Sequence, residues 1–379
     1  MVNSNANAMG IIFPNSYDSL VPELVNERLM ASIPFGGRYR LVDFILSSMV
    51  NSGIDNINVL VRNNYHSLMD HLGSGREWDL ARKNGGLNIF PPYAEKNMKP
   101  YSGRVEAIYS ILPTLEESRE KYVVLTDANV AVNFDFKALM NAHIESGADV
   151  TVAYAKEEIP AGLKRIEGTG NFYYTLKVNN GRVTKFYINS KAEGIQNLSM
   201  NIFILERTLL IDLINTGFVR GSVYFERDVL ATKTDKLNIQ GYEFDGYHAR
   251  ICDMKSYFEE NMKLLNDENL DALFSGNPIY TKIRDDNPTR YIPGAKVKNV
   301  LVSDGCVIEG EVENSVLFRG VKIGKGAKVK NCVLMQDTVI KDGSQVEYVI
   351  TDKDVTITEN KELCGTDSFQ VFVAKGQIV

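Results

Sequence analysis

The sequence predicts an α/β domain followed by a parallel β-helix of the hexapeptide type. Short apolar runs alternate with helical periodicity over residues 9–155, and one short phrase repeats four times after residue 294. The segment between these regions carries Pro278 and Pro288 and few periodic apolar positions. We therefore expect a first domain at residues 1–275, a linker at 276–294 and the β-helix at 295–379.

The first domain begins with a buried strand at residues 9–13 (MGIIF). Apolar residues then recur at helical spacing over residues 41–49, and Gly53 is a natural end for that helix. Further predicted elements are strands at 57–61, 122–125 and 148–154 and a helix at 107–115. Strands that alternate with helices imply a mainly parallel sheet, with ligands beyond its carboxyl edge. That edge corresponds to the loops at residues 14–29 and 126–133.

The repeated phrase defines the β-helix. It starts at Val297, Val312, Val329 and Val346, at intervals of 15, 17 and 17 residues. One coil cannot bury its apolar edge alone, so stacked coils share a core. Acyltransferases built on such coils need a catalytic histidine, but no histidine follows His248. We therefore expect the β-helix to serve packing and assembly.

Composition excludes several functions. The chain of 379 residues has 42 Lys and Arg against 48 Asp and Glu, which gives a net charge of −6 and disfavours nucleic-acid binding. No uncharged apolar run approaches the roughly 18 residues of a membrane helix, and residues 1–10 lack the features of a secretory signal. The four cysteines form no CxxC pair. We expect a cytoplasmic protein without membrane or nucleic-acid partners.

A family resemblance adds to this interpretation. Residues 33–53, IPFGGRYRLVDFILSSMVNSG, resemble the PFGGKYRxIDFxLSNxxNSGI signature of bacterial glucose-1-phosphate adenylyltransferase, also called ADP-glucose pyrophosphorylase. Further similar motifs follow in order: Trp78-Asp79-Leu80 with Gly85-Gly86, Pro91-Pro92-Tyr93, Gly103 with Ala107-Ile108-Tyr109, residues 244–247 (FDGY) and Pro278-Ile279-Tyr280. The resemblance implies a nucleotide-diphospho-sugar transferase domain with a Rossmann-like mixed sheet, followed by a left-handed β-helix. It also implies the family's reaction, in which ATP and glucose 1-phosphate give ADP-glucose and pyrophosphate with Mg²⁺.

The phosphate-binding loop of the family is not retained. The family's AGGxGxRL reads FPNSYDSL at residues 13–20, without any glycine. Pro14 removes an N–H donor, Asp18 would repel phosphate, and Ser19 stands at the catalytic arginine position. Met30 stands at the position of the family's phosphate-contacting lysine. We therefore predict no catalytic residue in this chain.

The metal positions implied by the resemblance are also changed. The family's SGDH turn reads TDAN at residues 126–129, which puts Ala128 at the metal-binding Asp, although a slip of one residue would offer Asp127. Arg250 stands at the position of the family's second metal-binding Asp, and a guanidinium cannot bind Mg²⁺. We expect no cofactor in this chain and Mg²⁺ only in a catalytic homologue.

The sugar pocket keeps fewer family residues than the scaffold does. The family's FEEKP reads FYINS at residues 186–190, which loses a Glu and a Lys. The family's ASMGIYIF reads LSMNIFIL at residues 198–205, which keeps Ser199 and has Asn201 for glycine. Gly103 and Ser199 are therefore predicted as vestigial substrate-binding residues.

Arginines near the first crossover suggest an effector site. The family binds a phosphorylated activator near this region, and Arg28 and Arg40 match basic positions there, whereas Glu27 replaces another. Arg38 lies close by. The alternative is that these arginines are solvated or ion-paired.

This chain retains the scaffold motifs of the family but has lost its catalytic motifs. In this it resembles the regulatory, GlgD-type subunit of the family, which acts in bacterial glycogen synthesis. The resemblance implies a catalytically poor subunit that assembles with a homologous catalytic subunit, as a mixed tetramer, or with itself. A phosphorylated sugar or a nucleotide would be the effector. Two alternatives stay open: an active nucleotidyltransferase with a rearranged site, and a module that senses a sugar phosphate or a nucleotide.

Overall fold

A computed structural model describes residues 6–92, 101–166 and 170–379. Tyr93, which belongs to one of the family motifs, lies outside these residues. In the described part of the chain, no helix combines the length and the apolar character needed to cross a membrane.

The first domain is built on a long mixed sheet with helices on both faces. Its strands are β1 (Ala8–Phe13), β2 (Pro34–Phe35), β3 (Tyr39–Arg40), β4 (Asn56–Leu60), β5 (Gly86–Phe90), β6 (Tyr122–Asp127), β7 (Val130–Ala131), β8 (Val150–Glu158), β9 (Tyr174–Asn179), β10 (Arg182–Ile188), β11 (Ile195–Glu206), β12 (Ile239–Glu243) and β13 (Ala249–Arg250). Its helices are α1 (Pro22–Val25), α2 (Leu41–Asn51), α3 (His66–Leu72), α4 (Arg104–Ser110), α5 (Leu112–Glu117), α6 (Phe136–Ser146), α7 (Ala161–Lys164), α8 (Arg207–Val219), α9 (Met254–Lys263) and α10 (Asp267–Phe274). A π-helix spans Phe225–Leu230.

The order of the sheet is β5-β4-β1-β6-β11-β8-β12-β10-β9. The first four strands are parallel, as the alternation of strands and helices predicts. The second half is mixed, because β11 runs antiparallel to β6 and β8. Asn180 and Gly181, both with positive φ, turn β9 directly into the antiparallel β10 without a crossover helix. The register pairs Phe13 with Asp127, so the loops after β1 and β6 begin side by side.

Helix boundaries follow local chemistry. The carboxylate of Asp43 accepts the N–H of Arg40 at 2.9 Å and caps the start of α2. The single helix predicted at residues 107–115 is instead two short helices, α4 and α5, with a break at Ile111. Pro113 explains the break, because proline has no N–H and its ring excludes the preceding turn from continuous helix.

The C-terminal part is a parallel β-helix, as the repeats predict. Its strands are β14 (Arg290–Tyr291), β15 (Lys296–Val302), β16 (Val307–Ile308), β17 (Glu311–Leu317), β18 (Lys322–Ile323), β19 (Lys328–Lys330), β20 (Val333–Leu334), β21 (Val339–Ile340), β22 (Gln345–Glu347), β23 (Val349–Thr351), β24 (Thr356–Ile357), β25 (Glu362–Cys364) and β26 (Val371–Val373). The first valines of the four phrases stack in register, each on the next. Asn299, Asn314 and Asn331 turn successive coils with positive φ, a conformation that asparagine tolerates well.

The two domains share one apolar cluster. Tyr257 and Phe258 of α9 are buried against β17 and β20 of the β-helix, in the cluster that also contains Val316 and Val333. The connecting segment packs on the first domain, since the Tyr280 N–H donates to Ser47 Oγ at 2.9 Å. The β-helix is therefore held against the first domain through a continuous core.

Candidate functional site

A cavity of about 450 Å³ lies at the carboxyl edge of the sheet, where the parallel strands predict a site. It is lined by the loop after β1, by residues that follow β4 and by the start of α4. Phe13, Tyr101, Phe172, Tyr174 and Tyr224 supply aromatic walls. The chemistry of this cavity depends on the polar groups described next.

The loop after β1 is held closed by its own side chains. Tyr17 has a positive φ of 67° and is buried, and its hydroxyl donates to the Phe172 carbonyl and accepts from Asn201 Nδ2, both at 2.7 Å. The N–H of Asp18 donates to the Asn15 carbonyl, so it is engaged within the loop. Burial raises the pKa of Asp18 to about 6. This loop therefore presents side chains and a carboxyl group where the family has glycine.

Asp127, at the end of β6, is saturated by donors. Ser16 Oγ donates to it at 2.5 Å, Asn201 Nδ2 donates at 2.8 Å, and the Arg104 guanidinium forms an ion pair with it. Arg104 also pairs with Glu226 of the π-helix. Burial acts to lower the pKa of Arg104, but the two carboxylates outweigh it and raise that pKa. One half-buried guanidinium thus pairs with both acids.

Arg250 is buried in a second ion pair. It lies on β13, and its guanidinium nitrogens donate to Glu157 Oε1 at 2.8 and 3.1 Å. His248 Nε2 lies 3.2 Å from the same oxygen. Burial opposes ionisation of Glu157, but Arg250 and His248 outweigh it and lower the pKa of Glu157 to about 2.

These residues do not fit a magnesium ion. Hard cations need free carboxylate oxygens, whereas Asp127 already accepts three side-chain donors and Glu157 faces a guanidinium. In residues 6–92, 101–166 and 170–379, no group of three or more His, Cys, Asp and Glu side chains is placed to hold a metal. A slip of one residue in the family alignment would put Asp127 at the metal position. Its carboxylate oxygens are nevertheless engaged by these donors and are not free to bind Mg²⁺.

Gly103 and Ser199, predicted as vestigial substrate contacts, have structural neighbours. Gly103 lines the cavity at the start of α4, and a Cβ there would lie 2.3 Å from the Val223 carbonyl oxygen. Ser199 is buried at a bulge of β11, and its Oγ accepts the N–H of Asn201 at 3.0 Å. Close packing and local hydrogen bonding account for both positions without a ligand.

A second cavity, of about 310 Å³, lies between the two domains, and we call it the interdomain cavity. Its cationic lining residues are Arg38, Arg40, Lys282, Arg284, Arg319 and Lys353. The predicted effector residue Arg40 is among them and donates to Ser67 O at 2.6 Å and Ser67 Oγ at 3.0 Å. Arg28, the other predicted effector residue, is buried outside the cavity, where one guanidinium nitrogen donates to both carboxylate oxygens of Asp352 at 2.7 and 2.9 Å.

Arg319 is the most unusual member of this lining. It is 6% exposed, and one guanidinium nitrogen donates to the Lys282 carbonyl at 3.2 Å. Among the described residues, its Nε and its other terminal nitrogen have no hydrogen-bond partner. Burial lowers the pKa of Arg319, and the neighbouring Arg38 charge adds to that effect. A buried cation with two free donors calls for an anion.

Arg319, Gln336 and Lys353 form one column of the β-helix. The register pairs Leu317 with Leu334 and Leu334 with Thr351, so the residues two positions later stack in successive coils. All three line the interdomain cavity. Comparing equivalent positions of the repeats would have found this column, which sequence reasoning about single motifs missed.

Comparison with known proteins agrees with this geometry. Residues 23–266 match the family described as Nucleotidyl transferase, and residues 285–370 match the one described as GlmU-like, C-terminal hexapeptide. The chain is 35% identical over 376 residues to the glycogen biosynthesis protein GlgD of Bacillus subtilis (strain 168), which covers 99% of this chain and 97% of that protein. The chain belongs to this nucleotidyl transferase family, in its GlgD branch.

Other members of the family show the same relationship. GlgD of Geobacillus stearothermophilus is 38% identical over 331 residues, 86% of this chain and 83% of that protein. Glucose-1-phosphate adenylyltransferase of the same organism is 35% identical over 305 residues, 79% of this chain and 77% of that protein. The family resemblance and the fold predicted from sequence are thereby confirmed.

Proposed function

We propose that this chain is a glycogen biosynthesis protein of the GlgD type that regulates a glucose-1-phosphate adenylyltransferase and has little activity of its own. The ion pairs of the first cavity support the loss of activity. Arg104 pairs with Asp127 and Glu226 beside this cavity, and Asp18 is part of its lining, where a triphosphate would need positive charge. Outside the lining, Arg250 pairs with Glu157. Removing one preorganised charge contact from an active site costs about 10²–10³ in rate.

The regulatory ligand in this proposal is a phosphorylated sugar or a nucleotide, bound in the interdomain cavity. The observation that carries this assignment is Arg319, whose buried guanidinium has two nitrogens without a hydrogen-bond partner among the described residues. Arg40 contributes a second cation from the first domain, and Lys353 a third from the β-helix. Arg28 contributes indirectly, because its ion pair with Asp352 offsets the carboxylate next to Lys353.

The partner in this proposal is a homologous catalytic subunit. Related domains with related surfaces can pair with pseudo-symmetry, so a mixed tetramer is geometrically natural. A ligand between the two domains changes the partner's activity only if it favours one conformation of the assembly. The family resemblance supports assembly into oligomers, either with the catalytic subunit or with further copies of this chain.

The test mixes this chain with a catalytic homologue and measures adenylyltransferase activity as sugar phosphates and adenine nucleotides are added singly. We expect the mixture to respond to one of them, and we expect Arg319→Met in this chain to remove that response. Arg220→Met, at an exposed arginine outside the cavity, is the matched control. An unchanged response in the Arg319 variant would refute the assignment of the effector site.

A further inference from the structure

The cations of the interdomain cavity differ in how much of their charge is already neutralised. Lys282 pairs with Asp70 at 3.1 Å, Arg284 with Asp286 at 2.9 Å, and Arg38 with Asp304 at 3.5 Å. In the described part of the chain, Arg40, Arg319 and Lys353 form no ion pair across the cavity. Within the described lining, the cavity therefore brings together three basic side chains that no ion pair engages.

Lys353 is the member of this set that can lose its charge. Guanidinium groups keep their proton under all ordinary conditions, whereas a lysine amine releases its proton when it is crowded. Burial, followed by the charges of Arg40 and Arg28, lowers the pKa of Lys353 to about 7. Asp352 opposes this effect, but its carboxylate is held by Arg28, and Lys375 adds a further positive charge.

His71 is the other group of the cavity whose ordinary pKa lies near neutral pH. Its Nε2 lies 2.6 Å from Asp43 Oδ1, and its ring packs edge-on against Trp78 with the ring centres 5.9 Å apart. Burial lowers the pKa of His71, against the effect of Asp43. His71 already has a carboxylate partner, Asp43, at hydrogen-bond distance. A bound anion would therefore stabilise the protonated form of His71 less than that of Lys353.

We propose that binding of an anion in the interdomain cavity is coupled to uptake of a proton by the Lys353 amine. This inference rests on the proposed function, since it assumes that the cavity binds an anion. An anion supplies the negative charge that Lys353 lacks, and an opposite charge nearby stabilises the ammonium form. The cavity thereby becomes a binding site whose affinity depends on pH.

The sign of the dependence follows from linkage. Below about pH 7 Lys353 carries its proton before the ligand arrives, so affinity is highest and no proton is taken up. Above about pH 7 binding must also protonate the amine. Affinity then falls as the pH rises, by up to about tenfold for each pH unit.

Sulfate is a suitable probe, because it stays dianionic throughout this range and contributes no proton of its own. We would titrate the full chain with sulfate by calorimetry at about pH 8, in buffers of different ionisation enthalpy, and follow binding independently by the fluorescence of Trp78. Uptake of a substantial fraction of one proton is expected. Lys353→Arg should bind sulfate without proton uptake, and Lys341→Met, at an exposed lysine of the β-helix outside the cavity, should behave as the unchanged chain.

The outcomes separate this inference from the function on which it rests. Sulfate binding with no proton uptake, or uptake that persists in Lys353→Arg, would overturn the role of Lys353 and would point to His71 in the second case. Absence of sulfate binding at about pH 6, where the cavity carries its full charge, would overturn the proposed anion site itself. Thermal unfolding of each variant without sulfate confirms that it is folded before it is compared.

Discussion

Single side chains determine the chemistry of the first cavity. Asp127, Arg104 and Glu226 form a chain of paired charges, and Asn201 Nδ2 joins Asp127 to the Tyr17 hydroxyl. A substitution at one of the positions that differ from the family therefore changes only part of a connected network. Groups that act as a unit give non-additive effects when they are changed one at a time.

Arg250→Asp tests this view. The substitution recreates one carboxylate of the family pattern, but the new carboxylate lies beside Glu157, which loses its cation. We expect no gain of adenylyltransferase activity and a loss of stability of about 3–5 kcal/mol, as for a buried ion pair that loses one partner. Activity assays and urea unfolding measure the two effects, with Arg220→Asp as an exposed control. Full activity from this single change would show that the loop after β1 is not the main defect.

Asp18→Asn tests the electrostatics of the same loop. Because burial raises the folded-state pKa of Asp18 to about 6, the folded protein binds this proton more tightly than the unfolded chain does. The carboxyl group therefore costs stability as the pH rises from about 4 through about 6. We expect Asp18→Asn to stabilise the protein above about pH 6, by on the order of 1 kcal/mol, and to have little effect at about pH 4. Thermal unfolding of both proteins at the two pH values measures this difference. A larger gain in stability at the lower pH would contradict the prediction.

Residue-level reasoning from sequence predicted some of the site and missed the rest. The absence of glycine at residues 13–20 and the arginine at position 250 are visible in the sequence. The partners of these residues are not, because Tyr17 meets Asn201 and Arg250 meets Glu157 only in the folded chain. Arg28 shows the same limit, since its partner Asp352 is 324 positions away.

At the scale of elements, local patterns predicted strands and helices well where one face is buried. The repeat intervals placed the coils of the β-helix in the register that the structure shows. The antiparallel direction of β11 could not be predicted from periodicity, because the pattern of apolar residues in a buried strand does not depend on which way the strand runs. The split between α4 and α5 was within reach, since Pro113 stands inside the predicted helix.

The contact between the β-helix and the first domain gives a prediction at this scale. Arg28 and Asp352 are 2% and 4% exposed, so removing one of them leaves a buried charge. We expect Arg28→Met to destabilise the protein by about 3–5 kcal/mol and Arg28→Met with Asp352→Leu to recover much of that loss. Urea unfolding of both single variants and the double variant completes the cycle. Additive losses in the double variant would show that the two residues do not act as a pair.

At the scale of the whole molecule, a first domain in which other residues stand at the family's catalytic positions is joined to a β-helix that contributes Arg319, Gln336 and Lys353 to the interdomain cavity. The two cavities are linked by the chain itself, because Arg28 holds Asp352 while the nearby Met30 N–H donates to Asp18 at 2.7 Å. Such a connection lets an event between the domains reach the loop after β1 if that loop has two arrangements. In a mixed oligomer the same shift would be felt by the catalytic partner.

The most direct test of the central claim compares three samples: this chain alone, a catalytic homologue from the same cell alone, and the two mixed at micromolar concentration. Light scattering after size exclusion gives the assembly, and ADP-glucose formation gives the rate. We predict that this chain alone is slower than the homologue by at least about 10²-fold, and that the mixture forms one complex with altered rate or effector response. Turnover of this chain alone at the homologue's rate, or two proteins that stay separate with unchanged kinetics, would contradict the account.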